Sequence, residues 1–195
     1  MKNVIKIFAG IFIIATAIIG YHNSLEYTYQ LTFLSNSLCG WIFFIDGIIN
    51  CTIKKNVPII IYQMAVQCTS VVFFTCIFTL FGWHTFNFKG AFLFLHAINP
   101  PLILVIYLFL TKLNIKDKAD YFKRILISPL LIMCYLLFDY IRFLNKGELV
   151  YGLINEESLN AVSVPLIGIG FYLLMAFMSY GLLDLKLYVQ KKFGR

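Results

Sequence analysis

Charge is what this chain has least of: Asp, Glu, Lys and Arg make up 13% of its 195 residues, where a soluble domain carries about 25%. A surface so poor in charge cannot stay wet, which argues against a soluble globular fold. Thiol and metal chemistry have little to work with either. The five cysteines, Cys39, Cys51, Cys68, Cys76 and Cys134, form no CxxC pair and have no histidine at metal-ligand spacing. A disulfide framework or zinc site is not expected. Four fall in apolar runs and one at the end of a run, so they read as small apolar fillers. No GxSG-like nucleophile turn, tandem repeat or low-complexity stretch is present, and the rhomboid-type serine protease class loses its signature with the first of these.

What is present is long apolar runs. About 20 apolar residues in a helix cross the hydrocarbon core of a bilayer. Six such runs cover residues 3–21, 27–50, 57–83, 90–111, 125–144 and 161–187. They predict an all-α, polytopic membrane bundle of six transmembrane helices, a single domain over residues 1–195 with the lipid bilayer as its solvent. In the first run, Lys2, Lys6 and the triplet Ala15-Thr16-Ala17 imitate a signal peptide. Ile18, Ile19 and Gly20 continue the apolar run past that triplet, so a retained helix is expected.

The net charge of +7 invites a nucleic-acid reading, which the positions of the basic residues oppose. They lie at span ends rather than on one folded, soluble face. With the N-terminus inside, only Lys89, Arg142 and Lys146 of the 16 Lys and Arg fall outside. This is a positive-inside pattern, and it predicts N-in/C-in topology in a cell membrane. The outer loops carry Glu26, Glu148, Glu156 and Glu157, and the longest of them, about residues 145–160, is placed to cap a site.

Polar side chains inside spans are costly and usually face the bundle interior. In the second run Thr32, Ser35, Asn36 and Cys39 are spaced i, i+3, i+4 and i+7, which is one helix face, and Asp46 lies near the same stripe. In the fourth, His96 and Asn99 precede Pro100 and Pro101. Two missing backbone donors should kink this helix and free carbonyls beside the histidine. In the fifth, Asp139 sits near the outer end, three residues before Arg142. With a rise of about 1.5 Å per residue, Thr32, His96 and Asp139 each lie roughly 6–9 Å below the outer surface.

A hydroxyl, an imidazole and a carboxylate at one depth compose a nucleophilic hydrolase site. Blander readings stand beside it. An intramembrane Thr commonly bonds back to a carbonyl one turn earlier, and a membrane His can be a hydrogen-bonded structural residue. Asp139 and Arg142 have the spacing of an intrahelical ion pair. Gln63, Gln67, Thr69 and Ser70 in the third run read as interhelical glue.

The segment Tyr29-Gln30-Leu31-Thr32-Phe33-Leu34-Ser35-Asn36-Ser37-Leu38 resembles the FT-x-x-SN-x-L segment of bacterial six-span proteins. Those proteins are related to the androgen-induced protein and the androgen-dependent TFPI-regulating protein of animals. Leu95-His96-Ala97-Ile98-Asn99-Pro100-Pro101 is similar to their His-then-Pro helix. The stretch from Tyr135 to Tyr151, with Arg142 and Gly147, resembles their span-to-loop segment, and Tyr180-Gly181-Leu182-Leu183-Asp184 their final helix. After Gly147 the chain departs from the pattern: Val150-Tyr151-Gly152-Leu153-Ile154 replaces an aromatic-proline run, which touches the substrate-facing loop more than the chemistry.

The resemblance implies an intramembrane threonine hydrolase of fatty acid esters of hydroxy fatty acids. Thr32 would be the nucleophile and His96 its base. Ser35, Asn36, Asn99 and Asp139 would be supporting or substrate-binding residues, with Asn36 or Asn99 as donor to the oxyanion and Asp139 orienting His96. A lipid-like small molecule is then the expected substrate, with neither metal nor organic cofactor. Two other classes fit the same topology: a substrate-binding membrane subunit of a small-molecule importer, and a non-enzymatic membrane scaffold.

Overall fold

The computed structural model describes residues 1–78, 88–151 and 156–193. Six helices in it are long and apolar enough to cross a membrane: α1 Lys2–Tyr21, α2 Leu31–Ile53, α3 Ile59–Phe78, α4 Ala91–Leu110, α5 Lys118–Lys146 and α6 Ser163–Phe193. No strand occurs among the described residues. The end of the third run, expected at residue 83, lies outside them.

Helices α5 and α6 exceed their apolar runs the most, and polar residues lie in both extensions. Helix α5 starts at Lys118, well before residue 125: Asp117 caps it by accepting the Asp120 N–H at 2.8 Å, which satisfies a first-turn donor. Arg124 braces the turn against Asp120 at 3.1 Å. The helix then breaks at Ser128-Pro129 into Lys118–Ile127 and Leu130–Lys146. Helix α6 runs on past residue 187 with Lys191 and Lys192 in its last turn, where cations suit the helix dipole.

Helices α1 and α2 form the tightest pair in the bundle. A methyl group built on Gly10 would stand 2.6 Å from the Gly40 carbonyl oxygen and 2.7 Å from the Phe44 amide nitrogen. The seam therefore tolerates only hydrogen at this position, the small-residue packing that lets membrane helices approach closely. Where this pair ends, Asp46 is buried and fully engaged. Its Oδ2 accepts from Lys6 Nζ and from the Tyr62 hydroxyl, both at 2.6 Å, and its Oδ1 accepts from the Val57 N–H at 2.6 Å. Lys186 is equally interior and donates to the carbonyls of Leu108 and Thr111 at 2.7 and 2.6 Å, at the C-terminal end of α4. Lys6 and Lys186 thus do more than mark a span end.

The core of this half gathers Ile13, Phe43, Tyr62, Val66, Ile103 and Tyr107. Helix α3 is tied to α6 by two amides: Gln63 Nε2 donates to Ser179 Oγ at 3.1 Å and Gln67 Nε2 to the Met175 carbonyl at 2.5 Å. The glutamines act between helices, as expected. Thr69 does so as well, through a 4.0 Å contact with Cys39 Sγ of α2 beside its bond back to the Val66 carbonyl, whereas Ser70 bonds to the Val66 carbonyl of its own helix. Along α6, Leu166, Ile169, Leu173, Leu174 and Phe177 are exposed, an apolar outer face suited to lipid.

Candidate functional site

The first amides of an α-helix have no acceptor within the helix. In α2 these are the N–H groups of Leu31 and Thr32, and no side chain of Gln30 caps them. Two phenols take their place. The Leu31 N–H donates to the Tyr135 hydroxyl of α5 at 3.1 Å, and the Thr32 N–H donates to the Tyr151 hydroxyl at 3.1 Å. Tyr151 also stands 3.3 Å from Thr32 Oγ1. The Thr32 hydroxyl is thereby paired with a phenol from a distant loop, not with a carbonyl of its own helix. Nearby, the Tyr21 hydroxyl at the end of α1 donates to Gln30 Oε1 at 2.7 Å.

Thr32, Tyr135 and Tyr151 border a cavity of about 500 Å³, within the range of small-molecule sites. Asp139, Thr75 and Tyr140 add polar groups to its lining, and most of the rest is apolar, including Val72 of α3, Ile132 and Leu136 of α5, and Ile167 and Phe171 of α6. The first part of α5 packs on α6, whereas the second part makes few contacts with it. Leu137 and Ile167, one from each of these helices, line the cavity and are exposed, so it opens sideways between α5 and α6. Burial pushes the Tyr151 phenol up from its ordinary range, keeping it a neutral O–H donor at neutral pH.

The other residues of the α2 stripe serve a second, drier network. Asn36 Nδ2 donates to the Thr32 carbonyl at 2.8 Å and to the Leu95 carbonyl at 3.3 Å. Asn99 Nδ2 donates to Asn36 Oδ1 and to Thr16 Oγ1, both at 3.0 Å. Both amide groups spend their N–H donors on the protein, and neither residue lines the cavity. The expectation that Asn36 or Asn99 donates to an oxyanion therefore fails on geometry. Ser35 Oγ is buried with no hydrogen-bond partner among the described residues, and it too lies off the cavity wall.

His96 is buried, 4% exposed, in a π-helical turn over Phe94–Ile98. Pro100 and Pro101 supply no N–H, and the Asn99 N–H reaches back five residues to the Phe94 carbonyl. The Leu95 carbonyl, its usual α-helical acceptor, is left for Asn36. The freed carbonyl anticipated beside the histidine thus exists and holds α2. The imidazole packs against Phe88 and Phe92, at ring distances of 5.6 and 5.9 Å. It is one residue from the Asn36 bridge to Thr32 but does not line the cavity.

Asp139 does line it, and its Oδ1 accepts the Val150 N–H at 2.8 Å, pinning the segment that carries Tyr151. The ion pair expected between Asp139 and Arg142 is replaced by one between Arg142 and Glu148 at 2.9 Å. The Arg142 guanidinium also lies over the Tyr29 ring at 4.8 Å. Helical spacing allowed both partners, and the loop supplied the nearer carboxylate.

The structure thus brings Thr32 and Asp139 to one cavity, groups Asn36 with Asn99, and sets His96 beside that second group. Tyr135 and Tyr151 are the residues that the sequence reading missed. Tyr135 had a usable signal, since it lies four residues before Asp139 and shares its helix face; Tyr151, in a loop, had none. Among the described residues no three His, Cys, Asp or Glu side chains converge as a metal site would require. No family model, curated protein or solved structure matches the chain.

Proposed function

We propose that this protein is an integral membrane hydrolase of lipid-like esters, with Thr32 as nucleophile and His96 as base. The observation that carries the reading is the Thr32 hydroxyl in the lining of a largely apolar cavity bordered by α5 and α6. The resemblance of the Thr32 and His96 segments to bacterial six-span proteins related to the animal threonine hydrolases points the same way. So does the Asn36 amide, which links the Thr32 carbonyl to the turn bearing His96.

In this mechanism Thr32 Oγ1 adds to the ester carbonyl carbon while its proton passes to His96, and the carbonyl π pair moves onto oxygen. Collapse expels the alcohol, which takes the proton back from His96. Water then cleaves the acyl-threonine by the same two steps. Proton transfer of this kind contributes about 10²–10⁴-fold. The mechanism requires the imidazole, which packs against Phe88 and Phe92 off the cavity wall, to come within hydrogen-bond reach of Thr32 when substrate binds.

The test is hydrolysis of a hydroxy fatty acid ester by protein purified in detergent. Thr32→Ala and His96→Ala should each lose at least about 100-fold in kcat/KM; full activity in either variant removes that residue from the mechanism. A second reading, a substrate-binding subunit of an importer, is favoured by the absence of His96 from the cavity wall. It predicts tight retention of a small apolar ligand with no turnover.

We further propose N-in/C-in topology in a cell membrane, supported by the distribution of basic residues, with substrate entering from the outer leaflet. Cys51 is exposed near the end of α2 and would face the cytoplasm. An impermeant maleimide should label it in opened cells and not in intact ones; equal labelling in both reverses the orientation.

A further inference from the structure

Acyl transfer needs a donor for the oxygen that gains charge as the nucleophile adds, and Asn36 and Asn99 have no N–H left to give. We propose that Tyr151 is that donor and that Tyr135 is its positioning residue. The assignment rests on the hydrolase reading above and names the part of the machinery that reading leaves open.

The geometry is specific. In the tetrahedral intermediate the attacking oxygen and the oxyanion are bonded to one carbon, so a donor beside the first is one bond angle from the second. The Tyr151 hydroxyl stands 3.3 Å from Thr32 Oγ1 and lines the cavity in which the acyl group must lie. Its oxygen accepts the Thr32 N–H at 3.1 Å, which holds the phenol beside the nucleophile. When a carbonyl enters, the phenol proton turns toward the carbonyl oxygen, and the bond strengthens as charge develops there.

The helix adds to this. The positive end of α2 points its Leu31 and Thr32 amides at the two phenol oxygens, and a hydroxyl that accepts from such an amide becomes a better donor. Tyr135 is anchored to Leu31 in the same way and interacts with the Tyr151 phenol. It therefore limits where the Tyr151 hydroxyl can sit. Asp139 completes the arrangement from the loop side, holding Val150, the residue before Tyr151, at 2.8 Å.

The experiment uses the full chain in detergent with 4-nitrophenyl palmitate as substrate and an ether of the same length, which lacks a carbonyl, as binding probe. Tyr151→Phe should lower kcat about 100-fold, the loss typical of an oxyanion donor. KM should move little, and the ether should bind as it does to the wild type. Tyr135→Phe should lower kcat about 3–10-fold, a smaller part of the same effect. Unchanged kcat in Tyr151→Phe, with turnover still abolished by Thr32→Ala, overturns this assignment and leaves the hydrolase reading intact. Loss of ether binding in parallel with kcat also overturns it, because a packing role would do that. Wild-type protein with no Thr32-dependent turnover overturns both. Should the Phe variant not fold, fluorotyrosine at position 151 keeps the anchor and makes a more acidic donor. A shifted kcat then supports the assignment and an unchanged one overturns it.

Discussion

The two sides of the bundle are built on opposite principles. On one, α1 and α2 touch backbone to backbone through Gly10 and Gly40, and their seam ends in a carboxylate that accepts three hydrogen bonds. On the other, the second part of α5 and the facing part of α6 stand apart around a cavity of about 500 Å³. Helix α2 belongs to both sides: its glycines fix it to α1, and its first turn supplies Thr32 to the cavity. On the hydrolase reading proposed above, a tightly packed pair holding Thr32 opposite a looser pair around the cavity is the arrangement a preorganised site requires.

The comparison breaks most sharply at the ion pairs. Lys6 and Asp46 are almost completely buried, with side-chain exposures of 4% and 1%, whereas Arg142 faces a Glu148 that is 66% exposed. Removing one partner of a buried pair strands the other charge, so Asp46→Ala should cost about 3–5 kcal/mol. Tyr62 and Val57 lose their acceptor in the same variant. Replacing both charges, as in Lys6→Met with Asp46→Leu, should recover part of that loss. Glu148→Ala should cost less than about 1 kcal/mol. Unfolding in detergent, followed by tryptophan fluorescence, ranks the three; a Glu148→Ala loss as large as that of Asp46→Ala would erase the distinction between the sides.

The next effect in size concerns the seam itself. In Gly10→Ala the added methyl meets backbone atoms of α2 at 2.6 and 2.7 Å, which cannot rotate away as a side chain would. The two helices must separate, and overpacking of this kind costs about 1–3 kcal/mol. Because α2 carries Thr32, the variant should also lower turnover even though Gly10 is remote from the cavity. A variant as stable as the wild type would show that the helices can slide apart without loss.

How much of this was legible in the sequence differs between the same two sides. The six runs and the α2 stripe were readable because membrane solvent punishes any polar residue that faces it; Thr32, Ser35, Asn36, Cys39 and Asp46 are all buried. The freed carbonyl upstream of Pro100 and Pro101 was readable because missing N–H groups have local consequences. Lys6 and Lys186 were not: a lysine near a span end looks the same whether it meets headgroups or folds inward to a carboxylate or a helix terminus. Nor was Tyr151, whose contact with Thr32 spans the chain from α2 to the loop beyond α5. Spacing along one helix encodes the polar stripe of α2, while the Lys6–Asp46 pair and the Thr32–Tyr151 contact join distant parts of the chain and carry no spacing.

The smallest expected effect lies on the cavity side. Gly168 lines the cavity on α6, and a methyl group built there meets nothing within 4 Å. It has the same chemistry as Gly10 and the opposite surroundings. Gly168→Ala should leave stability within about 0.5 kcal/mol of the wild type, or raise it slightly, because alanine favours the helix over glycine by up to about 1 kcal/mol. Only a bulkier residue should matter, and then for function: Gly168→Phe would place its ring in the space a ligand needs, raising KM while the protein stays folded. If Gly168→Ala instead destabilises as much as Gly10→Ala, α5 and α6 close on each other in solution, and the cavity is not a standing feature of the bundle. Glycine at one seam keeps two helices together, and at the other it keeps the space between them open.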